Sequence, residues 1–445
     1  MYFLQKGINE AGGNLKITIA STSLDVWRRS HLKQNITKEN FFIPNIKDFI
    51  FQGYYGGRTE VFKRGYLENL NYYDINSLYP SVMIQKYPNP SSIMSCSIPT
   101  IKNVNNFEGV TKCEVVTPNN LKIPFLPKRI DGKLKFPLGN FIGVWNNCEL
   151  RKALNLGYKI RPIKQIIYTE TFNLFESYVE TFYNKRLEYK KQKSNMEVVM
   201  KLLLNSLSGK FAQKEKQKMT IENLKFMSDE KQKKILFSLE NHTIKNNYLI
   251  NVIKSEFDGL FSLPILSSYT TSYARIKMYE YINRDDIVYT DTDSVVIKGE
   301  LPTSKNIGEM KLECKVKSGL FIKPKFYTMN FDKLENNKIV NIQDVKIKGV
   351  NKANFKDFNN LIIGKEVKKM KFSKLRESIR RGIKPNTKIV VPKNLNINDD
   401  KREWNKDLLI LIQNKKYEDS KPLKIIDEDC VMRTHNYIKS FPESK

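Results

Sequence analysis

The stretch Tyr289-Thr290-Asp291-Thr292-Asp293-Ser294 lies between two short β-like runs, Ile287–Tyr289 and Val295–Ile297. Two such runs around a polar segment predict a β-hairpin. Asp291 and Asp293 are two residues apart, so a regular strand would place both carboxylates on one face. Like charges repel by about 1 kcal/mol at 4 Å in water, and several-fold more at low effective dielectric. A divalent cation would remove that cost, although the stretch taken alone could also be a solvated acidic turn.

A further carboxylate lies in the segment Tyr73-Asp74-Ile75-Asn76-Ser77-Leu78-Tyr79-Pro80. A strand predicted for residues 68–75 would carry Asp74 at its end. The chain would then turn, so that backbone amides near Ser77 and Leu78 face an anion. A hard cation prefers carboxylate oxygens, and a triphosphate needs hydrogen-bond donors beside it. Asp74 alone could begin an ordinary turn, but together with the first stretch it predicts a site for metal and triphosphate.

A basic helical segment lies between these two acidic stretches. Aromatic and aliphatic residues recur at helical spacing from residue 172 onward, which predicts long helices over residues 170–213. Lys201 and Asn205 are four residues apart and share one helix face, from which Lys201 would reach a phosphate. Arg186 and Lys190 have the same spacing on a predicted helix. Their run could also be an ordinary solvated basic face.

Together, the three segments supply what phosphoryl transfer from a triphosphate requires. Two metal ions about 3.5–4 Å apart clamp the attacking and leaving oxygens, and cations neutralise the leaving pyrophosphate. Little covalent chemistry is left for the protein itself.

The composition favours a polyanionic partner. The chain has 445 residues with 76 basic and 47 acidic side chains, a net charge of +29. This excess favours nucleic acid through phosphate neutralisation and counterion release. A soluble basic protein from an A/T-rich genome is the alternative. The length and 40% apolar content suggest two to four domains or subdomains.

The remaining composition excludes several classes of protein. The five cysteines are scattered with no CxxC pair, which argues against a zinc ribbon and a disulfide scaffold and suggests a reducing compartment. No apolar run is long enough to span a bilayer, so no membrane partner is expected. The N-terminus does not read as a signal peptide, and its Glu10 speaks against an import presequence.

In these motifs the chain resembles the type-B (family B) DNA polymerases. Asp74–Pro80 resembles motif A (DxxSLYP), Lys201–Gly209 resembles motif B (KxxxNSxYG), and Tyr289–Ser294 resembles motif C (YxDTDS). Tyr54–Gly57 is similar to the YxGG motif that links exonuclease and polymerase regions, and Lys325–Tyr327 is similar to the KxY motif. The order and spacing fit the protein-primed organellar, plasmid and viral subgroup. The resemblance covers roughly residues 50–350.

The resemblance implies a metal site with two Mg²⁺ ions, for which Mn²⁺ could substitute. Asp74 and Asp293 would bind both ions, Asp291 would assist, and the carbonyl of Ile75 would be a further ligand. Asp74, Asp291 and Asp293 would be the catalytic residues.

The resemblance also implies contacts to nucleotide and DNA. Tyr79 would be the steric gate against a ribose 2′-hydroxyl, and Lys201 would contact the incoming triphosphate. The full set implied for the dNTP is Ser77, Leu78, Tyr79, Arg186, Lys190, Lys201 and Asn205. The set implied for DNA is Tyr54, Gly56, Gly57, Ser208, Gly209, Lys325 and Tyr327. Of these, Lys325 and Tyr327 would steady the primer terminus, and the residues of the YxGG motif would track the template strand.

Two departures from the family pattern stand out. Motif B normally carries a tyrosine that packs against the nascent base pair where this chain has Ser208, so less stacking and less discrimination are expected. No DxE exonuclease motif precedes the polymerase core. We therefore expect most of the exonuclease domain to be missing, as in a truncated copy or one product of a split frame.

The fold class implied is α/β (α+β), a right-hand polymerase with an antiparallel palm sheet, helical fingers, a small thumb and two insertions. The expected ranges are 1–50 for the exonuclease-side remnant, 51–90 for the palm with YxGG and motif A, 91–165 for an insertion with palm, 166–213 for the fingers, 214–262 for the second insertion, 263–340 for the palm with motif C and KxY, and 341–445 for the thumb and C-terminal tail.

The expected function is a DNA-directed DNA polymerase that replicates a linear plasmid or organellar element. Its partners would be template–primer DNA, dNTPs and a terminal priming protein. A mitochondrial location is expected, with a cytoplasmic plasmid as the alternative. Two other functions remain open: a weakly active remnant that only binds DNA, and an RNA-templated polymerase. The second usually has adjacent aspartates in its catalytic turn, whereas Thr292 separates Asp291 from Asp293 here.

Overall fold

The computed structural model divides the chain into two units. The described residues are 2–16, 18–33, 36, 45–213, 217–223, 228–230, 242–245, 248–254, 262–335, 338–350, 353–373, 377–378, 381–384 and 386–431. The first unit comprises Met1–Ala212, Leu263–Lys348 and Asn398–Lys445, and the second comprises Gln213–Ser262 and Gly349–Ile397.

The described helices and strands are numbered in chain order. The helices are α1 (Tyr2–Glu10), α2 (Ile19–Val26), α3 (Ile46–Gln52), α4 (Leu78–Met83), α5 (Ile101–Asn106), α6 (Asn147–Asn155), α7 (Glu176–Lys191), α8 (Met196–Ser206), α9 (Pro264–Ile282), α10 (Phe355–Ile362) and α11 (Leu408–Gln413). The strands are β1 (Thr59–Val61), β2 (Lys63–Ile75), β3 (Tyr87–Pro88), β4 (Ile93–Cys96), β5 (Glu108–Val116), β6 (Lys128–Ile130), β7 (Lys133–Lys135), β8 (Leu138–Asn146), β9 (Lys159–Tyr168), β10 (Thr171–Phe172), β11 (Gln217–Asn223), β12 (His242–Lys245), β13 (Tyr248–Lys254), β14 (Ile287–Asp291), β15 (Ser294–Ile297), β16 (Met310–Lys323), β17 (Phe326–Glu335), β18 (Lys338–Ile347), β19 (Val367–Phe372), β20 (Lys388–Lys393), β21 (Arg402–Glu403), β22 (Tyr417–Asp419), β23 (Lys421–Pro422) and β24 (Lys424–Ile426).

An antiparallel sheet forms the centre of the first unit. Its order is β1-β14-β15-β2-β16-β17-β18, and β22 pairs with the start of β2. The strands alternate in the side chains they bury, as a period of two requires. In β15, Val295 and Ile297 join a core on one face, whereas Val296 joins a second cluster with Leu67 and Tyr289 on the other. Both faces are therefore covered, which explains the nearly continuous apolar character of β14 and β15.

Helix α9 and a second sheet complete the larger core. The second sheet has the order β24-β8-β5-β9-β4, and α6 follows β8 directly. Phe141 and Trp145 of β8 share the core with Ala274 and Met278 of α9 and with Tyr73 of β2. The motif-bearing strands are thus fixed against a large, closely packed interior.

The helices predicted over residues 170–213 are confirmed as α7 and α8. Apolar residues of α8 pack inward, with Leu203 and Leu204 almost fully buried, while Lys201 and Asn205 face solvent. The N-terminal helices α1 and α2 pack against α8. The indole of Trp27, just after α2, donates to the carbonyl of Leu174 over 3.0 Å.

The second unit contains two small sheets and a capped helix. Strands β11, β13 and β12 form an antiparallel sheet in that order, and β19 pairs with β20. The side chain of Asn354 accepts from the Asp357 amide at 2.8 Å and Asp357 accepts in return, which is a capping box for α10.

The C-terminal region differs from its sequence-based grouping. Residues 341–445 were expected to form one thumb and tail, but Gly349–Ile397 lies in the second unit and Asn398–Lys445 in the first. The physical reason is the pairing of β22 with Lys63–Gly65, between residues more than 350 positions apart. Parts of the expected 1–50, 214–262 and 341–445 segments lie outside the described residues. Among the described helices, none is both long and apolar enough to cross a bilayer.

Candidate active site

Three adjacent strands bring the predicted aspartates to one end of the central sheet. Ser294 is paired with Asp74 of β2 on one side and with Asp291 of β14 on the other. The amide of Ile75 donates to the carbonyl of Asp293 at 2.8 Å, which joins the end of β2 to the hairpin turn. Thr292 has a φ of 66°, as the tight turn between β14 and β15 requires. The predicted hairpin is confirmed.

Asp74 and Asp293 form an electrostatically unfavourable pair. Burial raises the pKa of Asp74 to about 7, and the negative charges of Asp293 and Glu313 act in the same direction. Burial also raises the pKa of Asp293, with a contribution from the charge of Asp291. Lys201 opposes both shifts, so its ammonium group lies close enough to influence the two carboxylates.

Asp291 has different surroundings. Its two carboxylate oxygens lie 2.6 and 2.5 Å from Nζ of Lys325. The hydroxyl of Thr59 donates to Oδ1 at 3.0 Å, and the hydroxyl of Tyr289 donates weakly to Oδ2 at 3.4 Å. Asp291 is therefore held by a cation and hydroxyl groups, whereas Asp74 and Asp293 repel each other.

The donor chemistry of this pair fits a hard divalent cation. Two buried carboxylates with raised pKa values are stabilised in the ionised form by a positive ion between them. No group of three or more His, Cys, Asp or Glu within the described ranges is arranged to hold a metal. Asp291 is engaged by Lys325.

Basic side chains of α7 and α8 lie near motif A. Arg186 of α7 donates from Nη1 to the hydroxyl of Ser77 at 3.0 Å, and its guanidinium lies 3.4 Å from Oε1 of Glu197. The structure thus brings Arg186 to Ser77 and places Lys201 near Asp74 and Asp293. Lys190 and Asn205 are exposed, as Lys201 is, and no contact among the described residues links them to the aspartates.

Leu78 and Tyr79, in the second half of motif A, pack inward. Ser77 has a φ of 57°, and the following residue Leu78 is only 1% exposed, so only the backbone of Leu78 could face a ligand. Tyr79 packs against the larger core. Burial raises the pKa of Tyr79, and Arg275, Asp293 and Tyr54 each lie close enough to affect it.

The glycine turn at residues 54–57 rests on the hairpin of motif C. A Cβ on Gly57 would lie 2.6 Å from Cγ2 of Thr292, and the Thr292 amide donates to the carbonyl of Arg58 at 2.8 Å. Gly57 is therefore required by packing. A Cβ on Gly56 would meet nothing within 4 Å, so the surrounding structure leaves room there.

A buried arginine that the sequence-based reasoning missed holds this turn. Arg275 of α9 donates to the carbonyls of Tyr55 and Gly56 at 2.5 and 2.9 Å. Its charge is balanced by Glu149 at 2.8 Å, and both side chains are nearly inaccessible to solvent. The sequence signal that could have revealed Arg275 is a charged residue at an inner position of α9, where the other inner residues are mostly apolar or small.

The other residues implied for DNA lie in contrasting environments. Ser208 accepts a hydrogen bond from Ser267 through its carbonyl, and a Cβ on Gly209 would meet nothing within 4 Å. Lys325 has a half-exposed side chain. The ring of Tyr327 is 5% exposed and packs 4.9 Å from that of Tyr289, so Tyr327 is part of the core beneath Asp291.

Comparison with models of known protein families shows which family the chain belongs to. The family model described as DNA polymerase type B, organellar and viral, matches residues 2–291. This chain therefore belongs to the organellar and viral family of type-B DNA polymerases. The resemblance inferred from its motifs is confirmed.

Curated relatives come from fungi and a phage. A probable DNA polymerase of Podospora anserina is 32% identical over 79% of this chain and 32% of its own length. One from Neurospora intermedia is 30% identical over 70% of this chain and 33% of its length. The DNA-directed DNA polymerase of Enterobacteria phage PRD1 is 28% identical over 45% of this chain and 34% of its length. The chain spans about a third of these relatives.

Solved structures of Phi29 DNA polymerase share the fold. The complex with primer-template DNA has a TM-score of 0.63 at 18% identity, covering 86% of this chain and 68% of the other. The ternary complex with primer-template DNA and incoming nucleotide substrates has a TM-score of 0.62 at 18% identity, with the same coverage. The polymerase fold expected from the sequence is thereby confirmed.

Proposed function

We propose that this chain is the polymerase core of a DNA-directed DNA polymerase. The observation that carries the proposal is the placement of Asp74 and Asp293 at the ends of adjacent strands, with raised pKa values and Lys201 nearby. The reaction is template-directed attack of a primer 3′-hydroxyl on the α-phosphate of a dNTP, with pyrophosphate leaving. Membership of a DNA polymerase family supports this reaction.

Asp74 and Asp293 would hold two Mg²⁺ ions, or Mn²⁺ in their place, with Asp291 assisting. The amide of Ile75 points to Asp293, and in a strand the carbonyl of the same residue points to the same side, which supports Ile75 as a further ligand. When bound, such ions neutralise charge on the transferring phosphoryl group and on the leaving oxygen.

The dNTP would lie between the aspartates and the helices α7 and α8. Lys201 and Arg186 provide positive charge for its phosphates, and exposed Lys190 and Asn205 extend the same surface. Ser77 and the backbone of Leu78 would line the phosphate side. Tyr79 would close the sugar side and exclude a 2′-hydroxyl.

The DNA would pass the YxGG turn and the end of α8. Neither Gly56 nor Gly209 has a positive φ, and a Cβ on either would meet nothing, so the chain's own packing does not require glycine there. Close approach of a nucleic-acid backbone past Tyr54, Gly56 and Gly57 supplies the reason. Ser208 would lie near the nascent pair.

Lys325 would contact the primer terminus once released from Asp291. Tyr327 would act indirectly, by supporting the ring of Tyr289 beneath that aspartate. In this scheme the central sheet is the palm, and α7 with α8 forms the fingers. Gly349–Ile397 would be the thumb, and residues 91–165 and 214–262 the insertions.

Primer extension tests the proposal. On a DNA primer-template with Mg²⁺, Asp293→Asn and Asp74→Asn should each lose at least about a hundredfold in rate, because the charge stabilisation they support is worth several kcal/mol. Asp332→Asn, an exposed aspartate of β17, is the matched control and should keep full rate.

Equal rates in the three variants would reject the assignment of the site. If the unaltered chain binds DNA but does not extend the primer, the result would favour a remnant that only binds DNA. This is the main alternative because Ser208 replaces the tyrosine of motif B. Faster extension on an RNA template than on DNA would favour an RNA-templated enzyme.

The biological setting proposed is replication of a linear plasmid or organellar element with a terminal priming protein. The fungal and phage sources of the relatives support it. Mitochondria are the proposed location, with a cytoplasmic plasmid as the alternative. Extension from a protein hydroxyl rather than from a DNA primer would test the priming mode.

A further inference from the structure

Residues 398–431, here called the return segment, come back to the central sheet after the second unit. Strand β22 pairs with Lys63–Gly65, and β24 pairs in parallel with Leu138–Asn140 of the second sheet. Gly65 and Gly139 have φ values of 116° and 112°, and a Cβ on either would collide with return-segment backbone. The receiving strands are therefore shaped for the return segment.

The return segment brings charged side chains under β1. Arg402 is 5% exposed and lies 3.8 Å from Oε2 of Glu60, which also accepts from Arg58 at 2.6 Å. Lys401 donates from Nζ to the backbone carbonyl of Thr59 at 2.8 Å. Asp399 accepts from the Lys401 amide at 3.3 Å, and the carboxylates of Glu60 and Asp399 lie close enough to act on the Lys401 ammonium group.

The hydrogen bond from Lys401 matters because β1 is short and lies at the edge of the sheet. The strand has only three residues and one paired neighbour in the sheet order, β14. A carbonyl on the open side of an edge strand has no ladder partner, and an unpaired buried carbonyl is costly. Lys401 satisfies the Thr59 carbonyl and so fixes β1 at the edge that does not pair with β14.

Strand β1 in turn determines the position of Asp291. Thr59 lies directly opposite Asp291, and its hydroxyl donates to Oδ1 at 3.0 Å. The carbonyl of Arg58 accepts from the amide of Thr292 at 2.8 Å. Lys325 is the charged partner of Asp291, but its side chain is 49% exposed and free to turn toward a primer. The hydroxyls of Tyr289 and Thr292 reach the Asp291 carboxylate only at 3.4 Å, so Thr59 makes the shortest contact that remains.

We propose that Lys401 is a positioning residue for Asp291, acting through the carbonyl and the hydroxyl of Thr59. The proposal deepens the proposed function and rests on it. Lys401 touches neither nucleotide nor DNA in this scheme. Its loss should therefore slow the chemical step and leave substrate binding unchanged.

Single-nucleotide incorporation tests the proposal with a set of matched variants. Lys401→Met should lower kcat about tenfold, the scale expected for a small misplacement of a reacting group. The KM for dNTP and the Kd for primer-template should change less than twofold. Lys421→Met, an exposed lysine of the same segment, is the control and should match the unaltered chain. Lys401→Arg keeps a donor and should recover most of the rate.

A double variant separates this route from a general loss of stability. Thr59→Val removes the hydroxyl, and Thr59→Val with Lys401→Met should be no slower than Thr59→Val alone, because both act in one chain of contacts. An unchanged kcat in Lys401→Met, or multiplicative losses in the double variant, would overturn the proposal.

Hydrogen exchange gives an answer that does not depend on activity. In Lys401→Met, the peptide that contains Thr292 should exchange faster than in Lys421→Met, while peptides from β5 and β9 keep their protection. Equal exchange of the Thr292 peptide would overturn the role of Lys401. If the unaltered chain does not extend primers, the proposed function fails. The hydrogen-exchange comparison of Lys401→Met with Lys421→Met still decides whether Lys401 holds the turn at Thr292.

Discussion

Asp74 combines burial with a negatively charged neighbour, and its pKa of about 7 follows from both. At neutral pH, a carboxylate in this position is only partly ionised until a cation compensates its charge. Asp291 avoids the same difficulty through Lys325 and Thr59. Three aspartates within one short turn and one strand end thus have two different electrostatic environments, which their spacing in sequence does not distinguish.

Tyr79 provides a test of selectivity at the scale of one side chain. It packs against the core that includes Tyr55 and lies close to Asp293. Tyr79→Val opens space where a 2′-hydroxyl would sit, so the preference for dNTP over NTP should fall about 10–200-fold, the range for a small pocket change. The measurement is the ratio of kcat/KM values for the two nucleotides.

Tyr66→Val, near the start of β2, is the control for the Tyr79 experiment, and its dNTP/NTP ratio should remain that of the unaltered chain. A ratio that Tyr79→Val leaves unchanged would remove Tyr79 from the role of gate.

Candidate site residues could be predicted where the residues next to them in the sequence form a recognisable local pattern. Asp74 and Asp293 end or interrupt runs of strand-forming residues, and Lys201 lies four residues from Asn205 on a helix. Arg275 and Lys401 were missed because their partners are far away in the chain. Arg275 holds the carbonyls of Tyr55 and Gly56, about 220 residues earlier, so only the folded chain reveals the contact.

At the scale of elements, the YxGG turn and β1 form one unit with the hairpin of motif C. Gly57 packs on Thr292, Arg58 accepts from the Thr292 amide, and Thr59 reaches Asp291. Three consecutive residues therefore support the turn that carries Asp291 and Asp293. The glycine motif has a packing role in addition to the DNA contact that the sequence suggested.

A pair of alanine substitutions separates the two roles of the glycine turn. Gly57→Ala would place a Cβ 2.6 Å from Cγ2 of Thr292, and the overpacking should cost about 1–3 kcal/mol of unfolding free energy and reduce activity. Gly56→Ala meets open space and should leave the unfolding free energy nearly unchanged. Urea unfolding measures the first effect.

Titration with primer-template DNA measures the other role of the glycine turn, which is contact with DNA. Weaker DNA binding by Gly56→Ala, at unchanged stability, is the expected result if a strand passes the turn. Equal stability of both variants would contradict the packing role of Gly57, and unchanged DNA affinity of Gly56→Ala would contradict the approach of DNA.

Element types were predictable to the extent that periodicity was local. The hairpin around Asp291 and helices α7 and α8 follow apolar spacing within a few strand positions or helical turns. The return segment was not predictable. Its strands β22 and β24 are three residues long, and their partners are chosen by tertiary packing.

At the scale of the whole molecule, buried charge couples stability to pH. Burial raises the pKa of Asp399 to about 6, with Glu60 adding to the shift and Lys401 opposing it. The folded chain then holds this proton at pH values where the unfolded chain has released it. Stability should therefore fall as pH rises from about 4 to about 6, by at most about 3 kcal/mol from this group.

Asp399→Asn removes the titrating group and should flatten that part of the pH dependence. The measurement is the unfolding free energy in urea at pH 4.5 and pH 7, compared between Asp399→Asn and the unaltered chain. Asp332→Asn, at an exposed site, should keep the original slope. An identical slope in Asp399→Asn would show that other groups carry the dependence.

The pairing of β22 with the start of β2 has a consequence for synthesis on the ribosome. Residues 63–65 leave the ribosome some 350 residues before their partner, which at typical elongation rates is a wait of roughly 20–70 s. During that interval the nascent chain presents an unprotected strand edge, the kind of surface that recruits other strands and aggregates. Because β22 pairs so late, we expect chaperones to bind the nascent chain early in translation. We also expect products that end before residue 417 to be poorly soluble.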